Sequence, residues 1–395
     1  MIRTLLLTLW CCSIFAAEES LRVRIPYEDR QGTPAIETEA NIRSEDRIQP
    51  LPESKKQTIS AAYPDHQKDY KWVPGWILKG TGQLRVSDAS AVSDGSLIAF
   101  LETTGKADGP QGGRIVLLDV PRKRICGYFE IGRKLSALRL GNTLTHAVAW
   151  AEEQKNLNQK AGFSVLNLKT GTETAFLPAE KPYSFAVAGT RLFAAGTAGK
   201  IQMYDLNGNG NKELLSGPHP FLGVTPDGKT VIAAADDAFY YFDAVSGETL
   251  RKEPLPSPLR ICALTCMTPD GNSFIFASAP DSHGRHRVFF RVNGKQKEAA
   301  DDSTGKFVWQ ERDSLFFLMR IIKGRIYRID AETLKPFSYC EPKTVRPGTL
   351  GTVRFLFTGN EPGELIAMDT LGAVYSLKSV GKRWRKTMIV DAGTR

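Results

Sequence analysis

The chain has 395 residues, of which 42% are hydrophobic and 24% are charged. These fractions are ordinary for a globular protein and exclude a collagen-like, low-complexity or mainly disordered chain. The formal net charge of +9 is compatible with a polyanionic partner. Because the basic residues are scattered along the chain, a merely soluble basic surface is the simpler interpretation.

The first 17 residues resemble a secretory signal peptide. Arg3 supplies a positive charge, Leu5–Phe15 is an apolar run, and small residues at 16–17 precede acidic ones. The run is too short to span a bilayer comfortably, and no later segment has 18 uninterrupted apolar residues. We therefore predict an exported protein, periplasmic or extracellular, with no stable membrane span after removal of the signal.

Residues 18–82 are predicted to form a flexible N-terminal arm. Their apolar residues are sparse and lack a sustained period, and charged residues, Pro, Gln and Ser are frequent. An aromatic segment at 71–80 contains two tryptophans. We expect this segment to rest on the folded domain, where the stretch Trp72–Leu78 could add to a sheet edge.

Residues 83–395 are predicted to form the folded domain. Short β-branched and aromatic runs alternate there with turn residues, which is typical of strands. Seven segments share one strand pattern, and their equivalent positions are Asp119, Asn167, Asp205, Asp243, Asn293, Asp330 and Ser376. Successive positions lie 37 to 50 residues apart, and a period near 40 with four strands indicates propeller blades. The sequence therefore predicts an all-β fold, a seven-bladed β-propeller of four-stranded antiparallel blades.

The turns support the same register. Asp-Gly pairs, which supply the positive φ of a tight hairpin, recur between first and second strands at 93–95, 226–228 and 269–271. The segments 224–250 and 267–279, which contain two of these turns, resemble the repeats of bacterial WD40-like propellers of the YVTN and TolB-like kind. The resemblance covers Gln83 to Asp391 and implies the propeller fold. It does not imply an activity, because this fold hosts many unrelated ones.

Four cysteines lie outside the predicted signal: Cys126, Cys262, Cys266 and Cys340. They allow three pairings, and the sequence does not choose among them. Cys262 and Cys266 would lie on one face of a strand at roughly 13 Å, too far apart to bond to each other. We interpret the cysteines as small buried hydrophobic residues.

The sequence predicts no catalytic residue, no metal and no cofactor. It lacks the Gly-x-Ser-x-Gly, His-Glu-x-x-His, Cys-x-x-Cys and phosphate-loop patterns. The pairs Asp236-Asp237 and Asp301-Asp302 are interpreted as solvated turns, because neighbours on a strand point to opposite faces. Asp281, His283 and His286 could hold a metal, but a solvated loop is the simpler interpretation.

Long loops between second and third strands mark the predicted binding face. In a four-stranded blade these loops open on the same face as the links between blades, and loops on a rigid rim are the usual binding elements. They span Thr103–Gly113, Glu152–Gly162 and Pro280–Arg287. Their basic residues are predicted to bind an acidic partner: Lys106, Lys155, Lys160, Arg285 and His286.

The favoured function is an exported, non-enzymatic binding scaffold that recognises a protein or an acidic glycan, and not a nucleic acid. The alternative is a propeller enzyme of the lactonase, glycosidase or lyase type with its active site at the central channel. A factor for assembly of the cell envelope is a third interpretation. Three or more carboxylates, histidines or asparagines converging on the ring axis with a metal would favour the enzyme.

Overall fold

The computed structural model describes most of the region 84–390 and two short strands before it. The gaps within 84–390 are residues 94, 105–112, 132, 143–144, 156–157, 169–171, 209, 283–285, 293, 304–305, 311–314, 321–324, 331–335, 341–352, 370–373 and 381–382. The two earlier strands are β1 (Thr58–Ser60) and β2 (Asp69–Lys71).

Strands β3 to β30 form, within the described residues, seven four-stranded antiparallel sheets, each made of four consecutive strands. We number these sheets as blades 1 to 7 in chain order. Blades 1 to 3 comprise β3 (Leu84–Ala91), β4 (Leu97–Thr104), β5 (Gly113–Asp119) and β6 (Arg124–Ile131); β7 (Leu135–Leu140), β8 (His146–Ala151), β9 (Gly162–Asn167) and β10 (Thr172–Pro178); and β11 (Ser184–Ala188), β12 (Arg191–Ala195), β13 (Lys200–Asp205) and β14 (Asn211–Leu215).

The remaining sheets repeat this plan. Blades 4 to 7 comprise β15 (Phe221–Val224), β16 (Thr230–Ala234), β17 (Ala238–Asp243) and β18 (Thr249–Pro254); β19 (Ile261–Cys266), β20 (Ser273–Ser278), β21 (His286–Val292) and β22 (Lys295–Ser303); β23 (Lys306–Gln310), β24 (Leu315–Arg320), β25 (Arg325–Asp330) and β26 (Pro336–Cys340); and β27 (Val353–Thr358), β28 (Glu364–Asp369), β29 (Val374–Val380) and β30 (Arg383–Val390).

The second strands of blades 1 to 5 and 7 are buried and mainly apolar on both faces, because each of these blades is covered by a neighbour on both sides. Strand β4 shows this directly. Leu97, Ala99 and Leu101 pack against blade 2, whereas Ile98 and Phe100 pack against blade 7. Successive side chains of a strand point to opposite faces, so one strand serves two interfaces. Full burial of a side chain of this size contributes about 1.5–3 kcal/mol relative to exposure.

Aromatic side chains fill the interfaces of blades 2 to 5. Phe163 of blade 2 meets Trp150 and Phe185 edge to face, with ring centroids 4.9 and 5.2 Å apart. Between blades 4 and 5, Phe239 contacts Phe274 and Phe276 at 4.8 and 5.2 Å. These are favourable arrangements for aromatic pairs.

The ring closes by docking of blade 1 on blade 7, without a shared strand. Phe100 and Val116 of blade 1 pack on Ile366 and Met368 of blade 7 in one cluster. Lys123 crosses the same interface, with its Nζ 3.3 Å from Glu364, whose side chain is only 2% exposed. Glu364 also accepts a hydrogen bond from the Ser376 hydroxyl, so its buried charge is compensated from both blades.

The Thr-Pro-Asp-Gly turns fix the ends of the first two strands in blades 4 and 5. The Thr225 hydroxyl donates to Asp227 at 2.7 Å and accepts from the Thr230 amide at 3.0 Å. Gly228 has φ of 73°, which favours glycine. Blade 5 repeats this geometry, with Thr268 donating to Asp270 at 2.6 Å.

Side-chain packing is described for blades 1 to 5 and 7, whereas blade 6 is described through its strand pairing and the side chains of Val308, Ile326 and Arg328 alone. Within the predicted N-terminal arm, β1 and β2 pair as an antiparallel two-stranded sheet, and the flexibility of the arm stays a prediction. This small sheet lies beside β6, the outer strand of blade 1. The predicted signal at 1–17, and residues 72–80 of the aromatic segment, lie outside the described residues.

We predict that Glu364→Gln destabilises the ring more than Glu361→Gln. Glu364 is buried and bonded to both blades at the closing interface, and loss of a hydrogen bond to a charged group costs about 1.5–3 kcal/mol. Glu361 pairs with Lys378 at the surface, where ion pairs contribute little. Urea unfolding followed by tryptophan fluorescence measures both variants, and equal midpoints would contradict the role given to Glu364.

Candidate functional site

The ring has two ends that differ in construction. The connection face carries the links between blades and the loops between second and third strands, such as 152–161 and 235–237. The turn face carries the turns between first and second strands, such as 225–229 and 267–272. Antiparallel order within each blade places every link and every second-to-third loop at one end.

The first strands of all seven blades surround one central channel. The cavity has a volume of about 620 Å³. Its wall presents polar and apolar surface in similar proportion, and the described residues of its rim at the turn face are polar and uncharged. The rim residues include Ser93, Asn142, Thr225, Thr358 and Asn360.

Side chains of one blade satisfy the backbone edge of the next along this channel. The first strand is the inner edge of its sheet, and its amides would otherwise have no partner within the sheet. Three inner amides donate to side chains of the preceding blade: Leu138 to Asp88 (2.8 Å), Leu140 to Ser90 (3.0 Å) and Leu222 to Ser184 (3.1 Å). The polar residues of the inner strands therefore connect neighbouring blades.

One ion pair lies in the channel wall. Arg139 of β7 donates from Nη1 to Asp88 of β3 at 2.9 Å and to its own neighbour, the Leu138 carbonyl, at 2.6 Å. The guanidinium carbon lies 5.2 Å from the ring centroid of Phe185 in blade 3. Arg139 thus crosses the inner edge of blade 2 and contacts the blades on both sides of it.

The polar cluster that would favour an enzyme is not found in the described part of the channel. Asp88 is the only carboxylate among the described wall residues, and histidine is absent from them. The asparagines Asn142 and Asn360 lie at the rim. The described residues also contain no group of three or more potential metal-binding side chains.

Two thiols line the channel. No disulfide joins Cys126, Cys262 or Cys266, the cysteines whose side chains the structure describes; the side chain of Cys340 lies outside that set. Cys262 is the extra residue of a β-bulge at the start of β19, and its thiol donates to the Ser278 carbonyl at 2.9 Å. Desolvation by the apolar surroundings raises the pKa of Cys266 to about 12.

We predict that iodoacetamide leaves Cys266 unmodified in the native protein at pH 8. With this pKa, only about one thiol in ten thousand is ionised, and the thiolate is the reactive form. Peptide mass mapping measures the modification, with protein unfolded in urea as the control in which every cysteine reacts. Rapid native alkylation of Cys266 would contradict the desolvated environment.

The structure places the predicted partner-binding residues in different blades. Lys155 and Lys160 are exposed in the β8–β9 loop of blade 2. His286 begins β21 in blade 5, is half-buried, and its Nδ1 donates to the Ser278 carbonyl at 2.8 Å. Lys106 and Arg285 lie outside the described residues, as does His283 of the possible metal trio.

Sequence reasoning missed a histidine–carboxylate pair on the connection face of blade 4. His219, in the link before β15, contacts Asp236, in the loop after β16, with Nδ1 and Oδ2 2.8 Å apart. The Asp236 amide also donates to the Pro218 carbonyl at 3.1 Å. Asp236 was interpreted as a solvated turn residue, whereas in the structure it ties two loops of the blade together. His219 has φ of 51°, a conformation that histidine adopts more readily than most residues.

Tyr183 lies beside this pair and reaches two blades along the ring. Its hydroxyl donates to the Ile261 carbonyl of blade 5 at 3.0 Å. Its ring meets the His219 ring edge to face, with centroids 5.7 Å apart, and the Arg260 guanidinium lies 5.7 Å from its centroid. The connection face of blades 3 to 5 is therefore a fixed surface of aromatic and charged groups.

Comparison with solved structures agrees with the architecture. The chain matches hydrazine synthase from Kuenenia stuttgartiensis with a TM-score of 0.55 and 12% identity, over 78% of this chain and 99% of that one. It matches the β-propeller domain of Cps50 (Swd1) from Myceliophteria thermophila with a TM-score of 0.52 and 11% identity, over 76% and 97%. Hsv2 from Kluyveromyces lactis gives 0.52 and 8%, over 77% and 98%.

The fold is that of a β-propeller. Identities this low show the fold alone, so the likeness to YVTN and TolB-like repeats stays a prediction. No protein-family model matches the chain, and no curated protein matches it. The described residues contain no helix with the length and hydropathy that a membrane crossing requires.

Proposed function

We propose that this protein is an exported, non-enzymatic binding propeller that recognises an acidic partner, a protein or an acidic glycan, on its connection face. The observation that supports this most directly is the construction of the β8–β9 loop. Gln154 and Gln159 pair through both backbone hydrogen bonds, at 2.9 and 3.1 Å. Lys155 and Lys160 are each next to a residue of this backbone bridge, which limits the positions that they can take.

These two lysines are available to a partner. Neither Lys155 nor Lys160 forms an ion pair with a described carboxylate, whereas the nearby Lys134 is paired with Glu152 at 2.8 Å. That hydrogen bond from Lys134 lowers the pKa of Glu152, so the Glu152 charge is neutralised by Lys134. A preorganised cation loses less conformational entropy on binding than a mobile one.

The neighbouring blades supply further groups suited to a protein interface. Arg260 is exposed, and its contact with Tyr183 joins two residue types that are enriched in interfaces. The link that leads to Arg260 exposes Pro256 and Pro258. Glu153 and Glu180 are also exposed near the lysines, so selectivity for an acidic partner depends on the placement of the cations more than on net charge.

We predict that the double variant Lys155→Glu/Lys160→Glu weakens binding of a fluorescent oligo-aspartate peptide by about tenfold at low salt, since two attractive contacts become repulsive. Fluorescence anisotropy measures the affinity. Raising the ionic strength should weaken wild-type binding, because exposed charges are screened. The same titration with heparin in place of the peptide tests whether the partner can be an acidic glycan.

The matched control is Lys229→Glu/Lys295→Glu. This variant makes the same change in net charge at two exposed lysines on the turn face. It should leave the affinity near that of the wild type. Equal losses in the two variants, or no binding of either polyanion, would overturn the proposed function.

Export is tested separately. Expressed from its own first residue in a bacterial host that has a periplasm, the protein should be recovered outside the cytoplasm. Its mass should then correspond to loss of residues 1–17, because the apolar run at 5–15 is typical of a cleaved signal. Full-length protein confined to the cytoplasm would contradict export.

A further inference from the structure

The central channel combines a sizeable cavity, whose wall is part polar and part apolar, with one cation among its described wall residues that is only partly engaged. Its volume of about 620 Å³ falls within the range of small-molecule sites, roughly 300–1,000 Å³. Apolar side chains from several inner strands line it, among them Ala89, Ala186, Leu222, Val224, Leu264 and Phe357. These side chains can cover the apolar body of a ligand, and the polar part of the wall favours a ligand that also carries a polar group.

Arg139 is the cation. Both of its hydrogen bonds, to Asp88 and to the Leu138 carbonyl, start from Nη1. Its Nη2 and Nε form no hydrogen bond with a described residue, and 36% of the side chain is exposed. A guanidinium offers five N–H groups in a rigid fork that matches a carboxylate.

The surroundings of Arg139 keep this donor edge in place. The ion pair with Asp88 anchors one side of the guanidinium at 2.9 Å, and Phe185 of blade 3 lies near its other side. Phe185 is itself buried between blades 2 and 3. The donor is therefore held by three blades and does not need to be ordered by a ligand.

We propose that the channel binds a small amphiphilic carboxylic acid, with its carboxylate on the Nη2 and Nε groups of Arg139 and its hydrocarbon body along the apolar side chains of the wall. The charge balance favours a monoanion, because Asp88 already carries one negative charge next to Arg139 and would repel a dianion such as a phosphate monoester. This inference is independent of the proposed function, which concerns the outer surface of the connection face.

The geometry gives opposite expectations for the two partners of the ion pair. Arg139→Gln removes the charged donor and should weaken binding of the acid about tenfold, as expected for loss of a hydrogen bond between charged groups. Asp88→Asn keeps an oxygen that accepts from the Leu138 amide but removes the competing charge. It should therefore bind the acid several-fold more tightly.

The experiment uses cis-parinaric acid, a fluorescent fatty acid, with its methyl ester as the uncharged counterpart. Titration of the full chain should give saturable binding of the acid, stronger than that of the ester. The affinity of the ester should be unchanged in both variants, which also shows that the channel is intact in them.

Arg133→Gln is the matched control. Arg133 likewise lies over a phenylalanine, 3.8 Å from the Phe176 centroid, and likewise pairs with a carboxylate, Glu173, at 3.5 Å, but it does not line the channel. It should leave binding of the acid unchanged.

Several results would overturn the proposal: no saturable binding of parinaric acid, equal affinity for acid and ester, equal losses in Arg139→Gln and Arg133→Gln, or weaker binding of the acid in Asp88→Asn. None of these results bears on oligo-aspartate binding, so the two proposals fail separately.

Discussion

The structure depends on one constraint: a four-stranded sheet that is apolar on both faces has to be covered on both sides. Strand β4 shows this in five consecutive residues, 97–101, which are all buried. Their side chains pack alternately against blade 2 and blade 7. A straight stack of such sheets would leave two outer faces in water. A closed ring leaves none, so the same apolar burial that holds each blade also determines the circular arrangement.

Burial of the faces does not provide hydrogen-bond partners for the backbone groups at the inner edges of the sheets. Some of these amides donate to side chains of the preceding blade, namely Asp88, Ser90 and Ser184. These residues are polar because of the backbone opposite them. Arg139 also binds Asp88, but only its Nη1 is used in hydrogen bonds to described residues.

The repeat and its turns could be predicted from the sequence because they are local. The period near 40 residues and the Asp-Gly turns follow from strand length and from the positive φ of glycines such as Gly228. The contacts of His219 with Asp236 and of Arg139 with Asp88 could not be predicted, because they join residues 17 and 51 positions apart. Their partners depend on how the loops of a blade and the registers of neighbouring blades meet, and an arginine or aspartate in a strand otherwise resembles a solvated residue.

The seam between blades 7 and 1 has a consequence for the order of the chain. Each of these blades is built from its own four consecutive strands, so no hydrogen-bonded ladder crosses the seam. Its contacts are of the same kind as those at the other described interfaces, side chains packed face to face. The strand pairing of the ring therefore does not depend on which blade contains the start of the polypeptide. Joining residues 84 and 390 by a linker and opening the chain in an exposed link such as 256–258 would give a circular permutant with every strand pairing of the seven sheets preserved.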